Sequence, residues 1–301
     1  MAKKSGRKAG PRPASTTRTR PPRVAPPAQV ARPFAGLAAE CDLVALREFV
    51  PSATARLRLA EPDAREVLLG TVLPLACPAL VREAGTDAAE LGMLGLQVQQ
   101  AATEDLSRDL GAALHWALTA VAGQSLTAVD PAAERPRLQD LLVGDAELDI
   151  TVHDNFDWWV PPGAPADADV AASLERATAA IMPTAPIAGA RGAWWVDAGE
   201  KAHVRWVRPE EEDVLMPALA RVHAAGALTL GEGSRFAGSF RAHGLLVPVF
   251  DVDREMHAQE WTDAVAALGA ALDVALTDDG PLTPAQRHSR DGLRARQVTI
   301  R

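Results

Sequence analysis

The chain has 301 residues, of which 48% are hydrophobic and 23% are charged, and its formal net charge is −8. These values fit a soluble globular protein of one or two domains. Its two cysteines, Cys41 and Cys77, allow at most one disulfide and cannot supply the four ligands of a structural zinc site. No run approaches the roughly 18 apolar residues of a membrane helix, and the N-terminus lacks an apolar signal-peptide core. We therefore expect a cytoplasmic protein without membrane contact.

Residues 1–35 are predicted to form a disordered, basic and proline-rich tail on an acidic body. The tail holds nine of the 31 basic side chains and no acid, which leaves 22 basic against 39 acidic groups in residues 36–301. Such a composition cannot bury enough apolar surface to offset chain entropy. The tail either contacts the phosphates of nucleic acid or the ribosome, or acts as a solubilising leader. The candidate contact residues are Lys3, Lys4, Arg7, Lys8, Arg12, Arg18, Arg20 and Arg23.

Residues 36–125 are predicted to form a first α+β unit. Its predicted elements are a helix at 42–50, strands at 54–59, 65–75 and 94–99, and a helix at 103–118. Alternation of apolar and polar side chains indicates the first strand, since successive strand residues face opposite sides. A stripe of leucines four residues apart indicates the last helix. A connector at 126–169 follows, with a strand predicted at 147–152.

The same order of elements recurs in residues 170–301. The predicted elements are a helix at 170–181, strands at 192–196, 203–207 and 244–252, and a helix at 258–276. The segment 208–226 is predicted to be an inserted helix, because acids stand at its start and Gly226 can cap its end. The sequence therefore predicts an α+β fold of two related helix–strands–helix units packed together.

Several long strings resemble a family of uncharacterised actinobacterial proteins that is known only as a domain of unknown function. They include ARPFAGL at 31–37, TVHDNFDWWV at 151–160 and GLRARQVTIR at 292–301. The resemblance extends over nearly the whole chain. Because the family carries no established activity, it implies no catalytic residues, no cofactor and no substrate.

The segment HDNFDWW, residues 153–159, combines a histidine, two carboxylates and two tryptophans. His153, Asp154 and Asp157 are residue types that bind ligands or exchange protons, and they form the first candidate site. The simpler interpretation is a local turn bond from Asp154 or Asn155. In that interpretation aromatic side chains pack at an interface between the two halves. The candidate interface residues are Phe156, Trp158 and Trp159.

The glycine-rich segment 231–244 is the second candidate site. Its polar side chains Glu232, Arg235, Arg241 and His243 stand among glycines, a combination that can hold an anion. The alternative is a glycine turn that leads into a strand. No helix clearly follows the segment, so it does not match a dinucleotide-binding fingerprint.

The tryptophans at 194–195 and the segment RWVR at 205–208 also have a structural and a functional interpretation. A strand core with charged outward neighbours explains them, and a ligand-facing surface is the alternative. The sequence contains no recognisable catalytic set, and we predict neither a cofactor nor a metal site. The leading hypothesis is a non-enzymatic binding or adaptor protein whose partner is an unknown protein or nucleic acid. The alternative is an enzyme or small-anion-binding protein that uses segment 231–244. The oligomeric state stays open.

Overall fold

A computed structural model describes residues 30–83, 89–131, 135–161 and 168–299. This part of the chain contains seven helices and two six-stranded mixed sheets, which confirms the α+β prediction. The helices are α1 (Glu40–Glu48), α2 (Leu106–Thr119), α3 (Leu138–Leu141), α4 (Ala168–Ala179), α5 (Glu212–Ala224), α6 (Thr262–Leu276) and α7 (Pro284–Arg294). The strands are β1 (Ala53–Arg56), β2 (Val67–Gly70), β3 (Ala79–Arg82), β4 (Leu91–Gly95), β5 (Ser125–Leu126), β6 (Ile150–Val152), β7 (Thr184–Pro186), β8 (Ala193–Asp197), β9 (Ala202–Trp206), β10 (Arg235–Ala242), β11 (Leu245–Val252) and β12 (Gln297–Thr299).

Sheet 1 has the strand order β5-β3-β4-β2-β1-β6. β2 and β4 run parallel, and the other neighbours are antiparallel. Strand β6 lies in the predicted connector and pairs with β1, so that Ala53 stands opposite Val152. The segment 126–169 therefore supplies an edge strand of the first sheet, in addition to joining the halves.

Sheet 2 has the order β12-β10-β11-β9-β8-β7, in which only β10 and β12 run parallel. The four central strands repeat the order of sheet 1: third, fourth, second and first in the chain. The inserted helix is present as α5, and Gly226 follows it with a φ of 74°. A left-handed glycine just beyond a helix end is the expected C-terminal cap.

Helix α1 lies between the two sheets and shares one core with both. Its residues from Glu40 to Leu46 are all buried, including the polar Glu40 and Asp42. Leu43 and Val44 belong to the same apolar cluster as Leu69 of sheet 1 and Val247 of sheet 2. Burial of this cluster from water is the main driving force that joins the two halves.

The outer faces of the two sheets are covered differently. Helices α5 and α6 and residue Leu293 of α7 pack on sheet 2 in a second apolar cluster that includes Trp195, Phe250 and Trp261. On sheet 1, a smaller cluster of Leu73, Cys77 and Met93 packs with Trp158. Both cysteine thiols are free and buried.

Residues 30–35, at the end of the predicted tail, pack against the body. Phe34 is 0% exposed, and Arg32 forms ion pairs with Glu40 and Glu211. Burial of the Phe34 ring and the ion pairs of Arg32 stabilise this segment on the body. The folded part of the chain therefore begins before residue 36. Residues 1–29, with the candidate contacts from Lys3 to Arg23, lie outside the described residues. No helix in the described part of the chain is long and apolar enough to span a membrane.

Candidate functional site

His153 is held by the outer face of sheet 1. Its Nε2 lies 2.8 Å from Oγ1 of Thr54, and its ring centroid is 5.9 Å from that of Trp158. Burial lowers the pKa of His153, whereas the nearby Asp154 carboxylate raises it by a smaller amount. In this arrangement the neutral His153 ring, paired with Thr54, has a structural role. Asn155 makes the turn bond, since its Oδ1 accepts from the Asp157 backbone N–H at 3.0 Å.

Phe156, Trp158 and Trp159 cover sheet 1. The Trp158 indole N–H donates to Ser52 Oγ at 3.0 Å, and the Trp159 N–H donates to the Val72 carbonyl at 2.9 Å. These bonds and the stacking of Phe156 on Trp159 at 4.6 Å all join residues of the first half. The aromatic side chains were predicted to pack between the halves. They lie on sheet 1 instead, because they directly follow β6, which is an edge strand of that sheet.

The neighbouring residues 153–155 do face the second half. They line a groove of about 540 Å³ together with Pro51, the end of helix α4 and the start of strand β7. The exposed Asp154 carboxylate lies on the wall of this groove. Asp157 is also exposed but does not line the groove. Arg241 is not among the described residues that line this groove. The two candidate segments therefore do not converge here.

The polar residues of segment 231–244 are spread along strand β10. Glu232 is exposed in the glycine turn, and Arg235 starts the strand, where it pairs with Asp251 at 2.6 Å. Arg241, near the other end, pairs with Glu212 of α5. His243 Nε2 in the following turn lies 2.7 Å from Glu48 Oε1 of α1. Arg235, Arg241 and His243 each have a different carboxylate partner, so these three side chains do not converge on one pocket.

A cleft of about 610 Å³ lies between α6 and the start of α1. We call it the α6 cleft. Its floor is made by small side chains of α6, which are Ala266, Gly269 and Ala270, and its back wall is Trp206 at the end of β9. A Cβ atom on Gly269 would lie 3.2 Å from the Trp206 ring, so glycine permits this close approach.

Arg208 and Trp206 form the inner wall of the α6 cleft. The Arg208 guanidinium lies 4.6 Å from the centre of the Trp206 ring, a cation–π contact. Both Glu210 carboxylate oxygens accept hydrogen bonds from Arg208, at 3.0 and 2.5 Å. The Trp206 indole N–H donates to the Arg191 carbonyl at 3.1 Å. The polar atoms of this wall are therefore satisfied, and the Trp206 ring, only 5% exposed, is held in a fixed orientation.

The acidic and thiol groups at the α6 cleft differ in their partners. Arg32 donates to both oxygens of Glu40, at 3.0 and 2.6 Å. Burial raises the pKa of the Cys41 thiol to about 12, and the neighbouring Glu40 carboxylate adds to that shift. Cys41 is therefore protonated at neutral pH and is a poor nucleophile. Asp273 of α6 stands exposed at the rim, with no hydrogen bond or ion pair to the described residues.

The sequence signalled parts of the α6 cleft but not the whole. The segment RWVR, which contains Trp206 and Arg208, was interpreted as part of a strand core, and a surface that faces a ligand was the alternative. Cys41 and Asp273 carried no signal, because each lies on a helix whose neighbours in space depend on tertiary packing. No group of three or more potential metal-ligating side chains is clustered in the described ranges of the chain.

A family model described as a family of unknown function (DUF5926) matches residues 33–301. The chain belongs to this family. The match begins next to the buried Phe34, and it includes the α6 cleft and both sheets. Neither the curated proteins nor the solved structures contain a match to the chain.

Proposed function

We propose that the protein is a non-catalytic binding protein. In this proposal the α6 cleft receives an apolar side chain of a partner polypeptide, next to a basic residue of the same partner. The observation that carries the proposal is the wall and floor of the cleft, in which Trp206 faces the small side chains of α6. A volume of about 610 Å³ lies within the range of ordinary ligand sites, roughly 300–1,000 Å³.

The apolar part of the partner is favoured by the small floor residues. Ala266 and Ala270 are exposed on α6 and present small apolar side chains to the cleft, in front of the buried Trp206. An aliphatic or aromatic side chain in this space would remove apolar surface from water at about 25 cal/mol per Å². Aromatic residues and arginine are also the side chains that most often dominate binding energy at interfaces.

The basic part of the partner is favoured by Asp273. The other charges at the cleft are paired within the chain: Glu40 with Arg32, Arg208 with Glu210, and Arg191 with Glu147. Asp273 is unpaired among the described residues, so it is the carboxylate open to a lysine or arginine of a partner. An ion pair at such a rim sets specificity and association rate more than affinity.

The test is a panel of short peptides that carry one leucine or phenylalanine beside one arginine, with a matched set in which glutamate replaces arginine. Binding is measured by fluorescence anisotropy. We expect the arginine peptides to bind the wild-type chain and to lose at least about tenfold in affinity to Gly269→Leu, which fills the cleft. Asp273→Asn is expected to reduce the preference for arginine over glutamate. The control Val274→Leu changes an exposed position of α6 outside the cleft lining. Equal binding by Gly269→Leu and the wild type would contradict the proposal.

We also propose that the protein is cytoplasmic and that its basic tail contacts nucleic acid. The proposal is supported by the charge contrast between the tail and the acidic body. Deletion has to stop at residue 29, because Val30 donates to the Glu104 carbonyl at 2.7 Å and Phe34 is fully buried. We expect the full chain to bind single-stranded RNA with a steep salt dependence that is lost on deletion of residues 1–29. Equal binding by the full and the shortened chain would overturn this proposal.

A further inference from the structure

The inner face of sheet 2 becomes polar beyond the end of helix α1. His203 and Arg205 stand two residues apart, so their side chains project from the same face of β9, and Lys201 comes directly before the strand. On the next strand, Asp251 stands opposite His203, and Arg235 of β10 stands opposite Asp251. We call these five residues the β9 polar patch.

Asp251 holds two of the cations in place. Its Oδ2 accepts hydrogen bonds from Lys201 Nζ at 3.0 Å and from Arg235 at 2.6 Å. Its Oδ1 lies 3.2 Å from His203 Nδ1, but the directions of the groups do not make a hydrogen bond. The Nδ1 atom is buried and has no hydrogen-bond partner among the described residues. The buried Nδ1 of His203 therefore faces Asp251, and burial followed by the charge of Arg205 lowers the pKa of His203.

Arg205 is the unusual member of the patch. Its guanidinium lies 5.4 Å from the centre of the Phe49 ring, and it makes no hydrogen bond or ion pair to any described residue. Its side chain is partly buried, and that burial lowers its pKa. None of its nitrogen atoms is both buried and without a hydrogen-bond partner, so the guanidinium is reached by solvent. The Phe49 ring fixes the position of a fork of five N–H donors that have no acceptor from the described chain.

We propose that the β9 polar patch binds a phosphate group, either as the free ion or as a phosphomonoester. Arg205 supplies the guanidinium fork, which matches the oxygens of phosphate in a bidentate contact. His203 and Lys201 supply further donors along the strand. An open cavity of about 590 Å³ is lined by Lys201, Arg235 and Asp251 but not by Arg205 or His203, so it can take only the rest of a ligand whose phosphate lies at Arg205.

The charge of the surroundings agrees with an anionic ligand. The permanent cations are Lys201, Arg205 and Arg235, and the facing carboxylates are Asp251 and Asp253, the second of which lines the same cavity. The patch therefore has one net positive charge when His203 is neutral, and protonation of His203 adds another. A phosphate dianion would also favour the protonated imidazole, so binding and proton uptake by His203 are coupled.

The test measures the melting temperature of the full chain against inorganic phosphate, with ionic strength held constant by chloride. A phosphomonoester arm uses glycerol phosphate, and an acetate arm tests for general carboxylate binding. At a free phosphate concentration of about ten times Kd, binding at one site raises the melting temperature by roughly 3 °C. We expect this rise with either phosphate compound, no rise with acetate, and loss of the rise in Arg205→Gln. The matched control is Arg254→Gln, which removes a guanidinium paired with Asp197 outside the patch.

A second readout uses the wild-type chain alone and does not depend on the folding of Arg205→Gln. The His203 ring resonance, assigned with His203→Gln, is followed by NMR during the same phosphate titration. We expect it to shift with phosphate, and the pKa of His203 to rise. The proposal is overturned if Arg205→Gln responds to phosphate like the wild type. It is equally overturned if phosphate raises no melting temperature and leaves the His203 resonance unmoved.

Discussion

The two sheets of this protein share the order of their four central strands and differ in the direction of one hairpin. In sheet 1, β2 and β4 are parallel, whereas the corresponding strands of sheet 2, β9 and β11, are antiparallel. In both sheets the third and fourth strands are antiparallel neighbours. The whole hairpin of sheet 2 is therefore reversed relative to its counterpart in sheet 1.

The inserted helix α5 explains this reversal. Its 13 residues rise about 20 Å, which is close to the length of a five-residue strand. The helix carries the chain back along the sheet after β9, so β10 starts at the same end as β9. In sheet 1, irregular chain from Thr71 to Pro78 joins β2 to β3 without such a return. A helical insertion can thus preserve strand order while it inverts strand direction.

The outer covers of the sheets extend this comparison. Sheet 2 is covered by helices, and their packing against β9 creates the α6 cleft. Sheet 1 is covered by the irregular segment that contains Trp158 and Trp159, which is tied down by Arg82 through both of their carbonyls at 2.8 and 3.1 Å. A similar strand order therefore does not place a similar cleft on both halves, because the cleft depends on what covers the sheet.

The largest expected effect concerns the helical cover of sheet 2. Leu268 of α6 is 3% exposed, and Leu268→Ala is expected to destabilise the chain by about 3 kcal/mol through lost burial and a cavity. Because α1 joins both sheets in one core, both halves should unfold in a single transition. Guanidinium unfolding followed by tryptophan fluorescence and by circular dichroism measures both quantities. The control Val274→Ala, at a position 73% exposed, should change stability by less than about 0.5 kcal/mol. Two separate transitions would contradict the shared core.

A smaller effect is expected under the cover of sheet 1. A Cβ atom on Gly70 would lie 2.7 Å from the Trp158 ring, so Gly70→Ala should cost about 1–3 kcal/mol through overpacking. In a Trp158→Ala background, most of that cost should disappear. The double-mutant cycle, measured by chemical unfolding, isolates this coupling. Gly292→Ala is the control, because a Cβ on this α7 residue meets nothing within 4 Å. An equal cost of Gly70→Ala in both backgrounds would show that Trp158 does not press on this strand.

The sequence predicted the helices that carry a regular apolar stripe and missed one that has none. Helices α2 and α6 were predicted because leucine stripes mark their buried faces. Helix α7 was missed, since only Ser289 and Leu293 of its 11 residues are buried and it has no apolar stripe. Its start was nevertheless signalled, because Thr283 accepts from the Gln286 N–H in a capping box before Pro284.

The candidate sites show the same limit at the level of tertiary structure. The alternation of Lys201, His203 and Arg205 is visible in the sequence, but the pairing of β9 with Asp251 depends on strand register. The α6 cleft combines parts of four separate segments, among them Cys41 and Gly269. Segments far apart in sequence meet only through packing, for which a single sequence carries no periodic signal.

The smallest expected effect tests how α1 holds the two sheets. Arg47 bonds to the Leu96 carbonyl beside sheet 1, whereas Glu48 bonds to His243 of sheet 2 at 2.7 Å. The bond to His243 lowers the pKa of Glu48 below its ordinary 4.5, so its stabilisation is complete above that value and is lost as the pH falls through the lowered pKa. Glu48→Gln should cost about 1 kcal/mol at neutral pH and flatten the loss of stability in acid, measured by urea unfolding across pH. An unchanged acid dependence would mean that the attachment of α1 to sheet 2 rests on apolar packing alone.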